Sequence, residues 1–175
     1  MEFQPVYFFT ATINSWKPLL IEDKYKTIIL ESLGFLVNQA RCKLYAFVIM
    51  PNHIHLLWQM LGKQQKEDVQ RDFLKYTEQT IKLDLSRNDP NKLRQYFVGK
   101  KDREYQIWQR NSLSVEMFSK EVIEQKLDYI HNNPVQGKWM LAQSPLGYKY
   151  SSVRFYEERN EEEYQFLSHY MVYFE

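Results

Sequence analysis

Apolar positions along the chain alternate between the two-residue period of strands and the three-to-four-residue period of helices. Runs rich in β-branched and aromatic residues predict four strands, at positions 6–13, 44–50, 53–58 and 105–108. Apolar residues three and four apart predict three helices, at positions 21–39, 66–85 and 119–133. Ser119 is suited to cap the third helix, and Pro134 should end it, because proline disfavours helical geometry in the residue before it.

The order of these elements indicates an α+β fold. Only Pro51 and Asn52, two turn-forming residues, separate the second predicted strand from the third, so these strands should pair in an antiparallel hairpin. The sequence contains neither an internal repeat nor an interdomain linker. We therefore predict one antiparallel sheet covered by helices, in a domain at 1–155, with an acidic tail at 156–175 that packs on or beside it.

Composition narrows the class of protein. The 175 residues are 44% hydrophobic and include only 5 glycines and 6 prolines, which supplies a hydrophobic core and excludes a disordered or collagen-like chain. A single cysteine, Cys42, excludes an internal disulfide and a thiolate metal cage. Neither a signal peptide nor a membrane span is recognisable, so we expect a cytoplasmic protein with no membrane partner.

Charge is distributed unevenly along the chain. The formal net charge is +1, which by itself argues against a nucleic-acid partner. Residues 1–155, however, carry 22 lysines and arginines against 16 acidic residues, whereas residues 156–175 carry 1 against 6. The near-neutral total therefore combines a basic body with an acidic tail, and it does not exclude DNA. The tail could pack as a peripheral segment or screen a DNA groove, and we favour packing.

Basic and aromatic residues are interleaved between positions 92 and 110. Basic side chains bind phosphates and flat rings stack on unpaired bases, which is the combination that single-stranded DNA binding requires. The candidate DNA-binding residues are Lys92, Arg94, Lys100, Lys101, Arg103, Trp108 and Arg110. The competing interpretation is a solvated loop whose aromatic residues belong to the core.

Two of the four histidines, His53 and His55, are two positions apart in a predicted strand. Side chains at positions i and i+2 of a strand point to the same face, so both imidazoles can offer a nitrogen to one divalent ion while Ile54 points into the core. The spacing alone is weak evidence, because H-x-H pairs are often incidental and two nitrogens do not complete a metal site. A third ligand must come from elsewhere in the chain.

Tyr129 and Asn133 are four residues apart near the end of the third predicted helix and therefore share a face. A metal held by both histidines and the Asn133 amide oxygen would have the Tyr129 hydroxyl close by. Such an ion would help the tyrosine to attack a phosphodiester, because a phenol with a pKa of about 10 is a weak nucleophile at neutral pH. In isolation each residue has a simpler interpretation, Tyr129 as packing and Asn133 as a helix stop.

The two segments together resemble a known pair of motifs. Positions 50–57, MPNHIHLL, and 129–135, YIHNNPV, look like the signature of the single-tyrosine transposases of the HUH superfamily, and they most resemble the REP-associated tyrosine transposases. Segments 107–110, IWQR, and 150–156, YSSVRFY, agree with that family in the same order. The resemblance therefore covers most of residues 6–156. One departure is QGKW at 136–139, where the family pattern has a basic residue followed by a small-plus-apolar ending.

The resemblance implies a fold, a reaction and a site. The fold would be a ferredoxin-like antiparallel β-sheet with flanking α-helices. The reaction would be metal-dependent cleavage of single-stranded DNA at hairpin-associated sites, giving a 5′-phosphotyrosine link and a free 3′-OH. By the same resemblance Tyr129 is the nucleophile, and His53, His55 and Asn133 hold Mg²⁺ or Mn²⁺. The implied partner is single-stranded DNA with a REP-like hairpin, bound by a monomer or a homodimer.

Two other functions remain compatible with the sequence. One is a DNA-hairpin-binding protein derived from such transposases that no longer cleaves DNA. The other is a small metal-binding protein without any nucleic-acid role, for which a Tyr129→Phe substitution would have no consequence on DNA. The complete set of two histidines, one amide and Tyr129 favours the enzyme, because DNA binding alone does not need that combination.

Overall fold

The computed structural model of the protein describes residues 3–175 and contains a four-stranded antiparallel sheet flanked by helices. The strands of the described chain are β1 (Val6–Thr12), β2 (Cys42–Ile49), β3 (His53–Met60), β4 (Phe97–Lys100), β5 (Arg103–Tyr105) and β6 (Leu113–Met117). The α-helices are α1 (Asp23–Asn38), α2 (Lys66–Asn88), α3 (Pro90–Arg94), α4 (Lys120–Asn132) and α5 (Val153–Glu157). Short 3₁₀ turns connect several of these elements.

The main sheet has the strand order β2-β3-β1-β6, and all neighbouring strands are antiparallel. Three residues, Met50, Pro51 and Asn52, separate β2 from β3, and the two strands form the predicted hairpin. β1 lies between β3 and β6, so that Thr10 is opposite His55 and Thr12 is opposite His53. This order and pairing confirm the predicted ferredoxin-like α+β fold, and β4 and β5 form a separate two-stranded hairpin.

Helices α1 and α2 cover one face of the sheet. Alternation along the strands sends Phe9, Ile54 and Trp58 to this face, where all three are fully buried. They pack against apolar residues that recur at helical spacing on the two helices, such as Ile29 on α1 and Phe73 on α2. This layer is the larger of the two cores and makes the sheet a rigid platform.

Helix α4 covers part of the opposite face. Its Ile123, Leu127 and Ile130 pack into a second core that includes strand residues such as Phe8 and Leu57. Ser119 caps the helix as predicted, because its Oγ accepts a hydrogen bond from the Val122 backbone N–H at 3.2 Å. The helix ends at Asn132, and a 3₁₀ turn at Asn133–Val135 follows, in agreement with the stop predicted from Pro134. The end of α4 thus lies over the histidine-bearing start of β3.

The acidic tail runs along the edge of β2. The Ser168 N–H donates to the Leu44 carbonyl at 2.9 Å, and Leu167 is 92% buried beside it. Further along, the Tyr170 hydroxyl donates to the Glu124 carboxylate on α4 at 2.6 Å. The tail therefore covers an otherwise open sheet edge and contacts the helix that carries Tyr129.

Shortening Leu167 to alanine should destabilise the protein by about 2–3 kcal/mol, because the substitution leaves a cavity in a packed site. The free energy of unfolding in urea is the measurement. Val172→Ala is the matched control, since Val172 lies in the same tail and is 39% exposed. Its cost should be below about 1 kcal/mol. Equal small losses in both variants would show that the tail does not contribute to the core.

One predicted strand is wrong, and one strand of the main sheet was not predicted. The strand predicted at 105–108 ends at Tyr105, and Trp108 forms only an isolated bridge with Ile13. Beyond Gln106 the backbone bonds to the end of β1, since the Asn14 N–H donates to the Ile107 carbonyl and the Gln109 N–H donates to the Thr12 carbonyl. Strand β6 was not predicted, although its sequence LSVEM alternates apolar and polar residues.

Within residues 3–175, no helix combines the length and the apolar character that a membrane crossing requires.

Candidate active site

His53 and His55 lie at the start of β3 and point to the face covered by α4, while Ile54 between them is fully buried on the other face. Their ring centroids are 4.8 Å apart. Burial lowers the pKa of His53, and it lowers that of His55 to about 3. Both imidazoles are therefore neutral at pH 7, which is the form that can ligate a metal.

Asn52 fixes the orientation of His53. The Asn52 amide nitrogen donates to the Trp16 carbonyl at 3.4 Å, so its oxygen faces the His53 ring and accepts from Nδ1 at 2.7 Å. A neutral His53 with its proton on Nδ1 has its lone pair on Nε2. That nitrogen is 3.2 Å from the amide oxygen of Asn133, which is buried at the end of α4. Two acceptor atoms thus face each other, an arrangement that a cation between them would stabilise.

His55 is oriented by β1. Its Nδ1 is hydrogen-bonded to the Thr10 hydroxyl at 2.7 Å, while its Nε2 is buried and has no hydrogen-bond partner among the described residues. Such an unpartnered buried nitrogen is uncommon in proteins, and it leaves a lone pair free for a ligand. Thr10 and Asn52 are functional candidates that the sequence analysis missed, although the hairpin motif contains Asn52.

These groups fit the divalent ion that the family resemblance implies. Ligands about 2.1 Å from one ion and roughly 90° apart lie about 3 Å from each other, close to the 3.2 Å between His53 Nε2 and Asn133 Oδ1. In the part of the chain that the structure describes, no three His, Cys, Asp or Glu side chains form a metal site. A metal at the histidine pair therefore requires a ligand of another type, and the Asn133 amide supplies one.

Tyr129 lies against the same group of side chains. Its ring centroid is 5.3 Å from that of His55 and 6.0 Å from that of Phe8, and the side chain is 42% exposed. One helical turn earlier, the Lys126 ammonium lies 5.3 Å from the centre of the Tyr129 ring. Sequence analysis missed Lys126, which is placed to attract a negatively charged phosphate. The structure thus brings together all four residues that were predicted as nucleophile and metal ligands.

The four residues line an open cleft of about 550 Å³. Thr10 and Thr12 of β1 form its floor beside the histidines, and Trp16, Lys138 and Trp139 contribute to its rim. A cleft of this size is within the range of sites that hold small ligands.

The predicted DNA-binding residues do not line this cleft. Lys100 and Lys101 are exposed at the turn of the β4–β5 hairpin. Lys92 is ion-paired with Glu22 at 2.6 Å, and Arg94 is exposed on α3. Lys100, Lys101 and Arg94 are therefore available to a phosphate, whereas Lys92 is already partnered.

The other three predicted DNA-binding residues differ from one another. Arg110 is exposed, pairs with Asp102 at 2.9 Å and borders a small depression next to the Thr10 end of β1. Arg103 is largely buried and is held by the same Asp102 carboxylate. The prediction that Trp108 binds DNA is wrong, because Trp108 is buried and its indole N–H donates to the Thr77 hydroxyl at 3.0 Å. It is a core residue and does not offer a surface on which a base can stack.

The fold and the site together define a class of protein. In this class a ferredoxin-like sheet carries a pair of histidines, and a helix that bears a tyrosine packs over them. Solved structures with this fold include a REP-associated tyrosine transposase bound to a REP hairpin, which is 18% identical with a TM-score of 0.63. That match covers 85% of this chain and 76% of the transposase. The resemblance read from the sequence is thus confirmed at the level of the fold.

A second solved structure is that of a protein from Deinococcus radiodurans R1 described as a transposase candidate. It is 15% identical with a TM-score of 0.50, and the match covers 75% of this chain and 92% of that one. No protein-family model matches the sequence, and no curated protein is significantly similar to it. The roles of individual residues therefore depend on the geometry described above.

Proposed function

We propose that this protein is a transposase of the HUH single-tyrosine type, a metal-dependent endonuclease and strand transferase that acts on single-stranded DNA at hairpin-associated sites. One observation carries the proposal. Two imidazole nitrogens and the Asn133 amide oxygen converge in one cleft, with the Tyr129 ring packed against His55. A protein that only binds DNA has no need to place unpartnered metal-ligating atoms beside a half-exposed tyrosine.

The proposed reaction is an exchange of one ester bond for another. Tyr129 Oη attacks the phosphorus of a DNA phosphodiester, the new oxygen–phosphorus bond forms, and the bond from phosphorus to the 3′ oxygen breaks. The phenolic proton leaves to solvent, to which Tyr129 is exposed, and the 3′ oxygen takes up a proton to become a 3′-OH. Attack of a 3′-OH on the phosphotyrosine reverses these steps and joins strands without any further energy source.

Mg²⁺ or Mn²⁺ bound by His53, His55 and Asn133 would withdraw charge from the phosphate and position it for attack. The protein contributes only neutral ligands to this ion, since both imidazoles are uncharged and the third ligand is an amide. A neutral ligand set should bind a hard divalent cation weakly. We therefore expect the DNA phosphate to complete the site, so that the metal binds more tightly in the presence of DNA.

The test is to incubate the protein with Mn²⁺ and labelled single-stranded hairpin oligonucleotides of varied sequence, and to separate the products on a denaturing gel. A labelled band at the mass of the protein plus DNA is expected in Mn²⁺ and not in EDTA. Specific hairpin binding without any adduct would instead support the alternative, a hairpin-binding protein whose chemistry is lost. Binding should be measured on the same samples to separate the two outcomes.

The exposed lysines of the β4–β5 hairpin should contribute to DNA affinity through charge. Replacing Lys100 and Lys101 by glutamine should make the slope of log affinity against log salt shallower by about 1.4, since each contact to a single-strand phosphate contributes about 0.7. Fluorescence anisotropy of a labelled single strand, measured across a salt series, gives the slope. Lys43→Gln with Lys63→Gln is the control, because it removes the same charge at the sheet end far from His53. Unchanged slopes in the hairpin variant would exclude the β4–β5 hairpin from the DNA path.

A further inference from the structure

Two tryptophans, Trp16 and Trp139, line the cleft beside the histidine pair. We propose that they are stacking surfaces for unpaired nucleobases next to the phosphate that is cleaved. This inference rests on the proposed function and adds to it the residues that grip the single strand. Neither residue was among the predicted DNA-binding positions; Trp16 is exposed, and Trp139 packs part of its ring on the second core and leaves the rest toward the cleft.

Trp16 has an exposed side chain, and hydrogen bonds hold its backbone in place. Its side chain is 62% exposed, although indole is a large apolar group that usually packs. Ser15 and Trp16 both have φ of 58°, a left-handed conformation that is uncommon for residues with a side chain. The turn is fixed by hydrogen bonds of the Trp16 N–H to the Ile13 carbonyl at 2.9 Å and of Asn52 to the Trp16 carbonyl at 3.4 Å.

The strained turn also couples Trp16 to the candidate metal site. The Asn52 side chain that holds the Trp16 carbonyl is the same one that orients His53. Uncommon backbone conformations persist where the surrounding structure enforces them, and they concentrate at functional sites. A fixed turn that presents an indole to solvent lets a base stack with little loss of conformational entropy.

Trp139 also lies beside His53, in the segment QGKW that departs from the family pattern. Its ring centroid is 6.3 Å from that of His53. Gly137 adopts φ of 62°, and the Trp139 N–H donates to the Gln136 carbonyl at 3.0 Å, so the chain turns tightly here. The ammonium of Lys138 lies 5.1 Å from the centre of the Trp139 ring.

The chemistry around the two rings favours a nucleotide over an apolar partner. Lys138 beside Trp139 and Lys126 beside Tyr129 supply positive charge near the cleft. Flat rings and cations are the groups that bind the bases and the phosphates of a single strand, and stacking tolerates any base sequence. An apolar peptide segment would gain nothing from these lysines.

The test measures binding of a fluorescein-labelled oligothymidine of about 12 nucleotides, in EDTA so that cleavage does not contribute. Trp16→Ala and Trp139→Ala should each weaken binding about tenfold, whereas Trp16→Phe and Trp139→Phe, which keep a ring, should each lose less than about threefold. Phe118→Ala should have no effect, because Phe118 is 83% exposed but follows the end of β6 that is remote from His53. Thermal unfolding of each variant confirms that it is folded.

A second oligomer of the same length, built from abasic sugars, keeps every phosphate and removes every base. The wild type should bind it at least tenfold more weakly, and the two alanine variants should lose little further affinity on it. If the alanine variants match the wild type on oligothymidine, or lose the same factor on the abasic oligomer, the inference is overturned and the proposed function stands. If the wild type binds neither oligomer, the inference is overturned, and the adduct assay with hairpin oligonucleotides still decides the proposed function.

Discussion

Tyr129→Phe should abolish the covalent adduct and lower strand cleavage by at least about a thousandfold, because it removes the only atom that the proposed reaction takes from this side chain. The ring contacts with His55 and Phe8 remain in the variant, so its fold and its DNA affinity should be unchanged. Denaturing gels measure the adduct, product release measures cleavage, and anisotropy measures binding.

Tyr76→Phe is the matched control for this substitution. Tyr76 is 58% exposed on α2, which covers the other face of the sheet, and loss of its hydroxyl should change none of the three readouts. An adduct that persists in Tyr129→Phe would show that another side chain is the nucleophile. Loss of DNA binding in the same variant would show that the hydroxyl acts in recognition.

His53→Ala should lower the affinity for Mn²⁺ at least tenfold and strand cleavage at least about a hundredfold. The substitution removes one of the three proposed ligands, and it also leaves Asn133 Oδ1 without the nitrogen that faces it at 3.2 Å. Electron paramagnetic resonance of free Mn²⁺, titrated with protein in the presence of an uncleavable hairpin analogue, measures the affinity. Binding of the hairpin in EDTA should stay within about twofold of the wild type.

His169→Ala provides the histidine control. His169 is exposed in the tail and contacts Tyr156 and Tyr170, so its loss should leave Mn²⁺ affinity and cleavage unaltered. Unaltered Mn²⁺ affinity in His53→Ala would remove the histidine pair from the metal site. Reduced cleavage with normal metal affinity would assign His53 a different role in the reaction.

The local parts of the candidate site can be predicted from the sequence. A two-residue period places His53 and His55 on one face of a strand with Ile54 on the other, and a four-residue spacing places Tyr129 and Asn133 on one helical face. The structure has each of these arrangements. Periodicity does not bring the two segments together, because their contact spans 80 residues and depends on how α4 packs on β3. The family resemblance predicted that the two segments meet in one site.

Two tryptophans show that the burial of an aromatic side chain could not be predicted from the sequence. Trp108 lies among basic residues and was predicted to bind DNA, but its indole N–H donates to Thr77 on α2, 31 residues earlier in the chain. Trp16 follows a strand and had no predicted role, yet a left-handed turn keeps it in solvent beside the cleft. Whether an aromatic side chain is buried depends on distant partners and on backbone conformation, and neither is visible in a local pattern.

The most direct measurement of the central claim is to locate the covalent bond. Trypsin should release residues 127–138 as one peptide, because Lys126 and Lys138 flank it and no other lysine or arginine lies between them. After reaction with a hairpin oligonucleotide in Mn²⁺ and nuclease trimming, tandem mass spectrometry should find a nucleotide joined through phosphate to Tyr129 in this peptide. A nucleotide on any other residue, or an unmodified peptide from protein that binds the hairpin and Mn²⁺, would contradict the account.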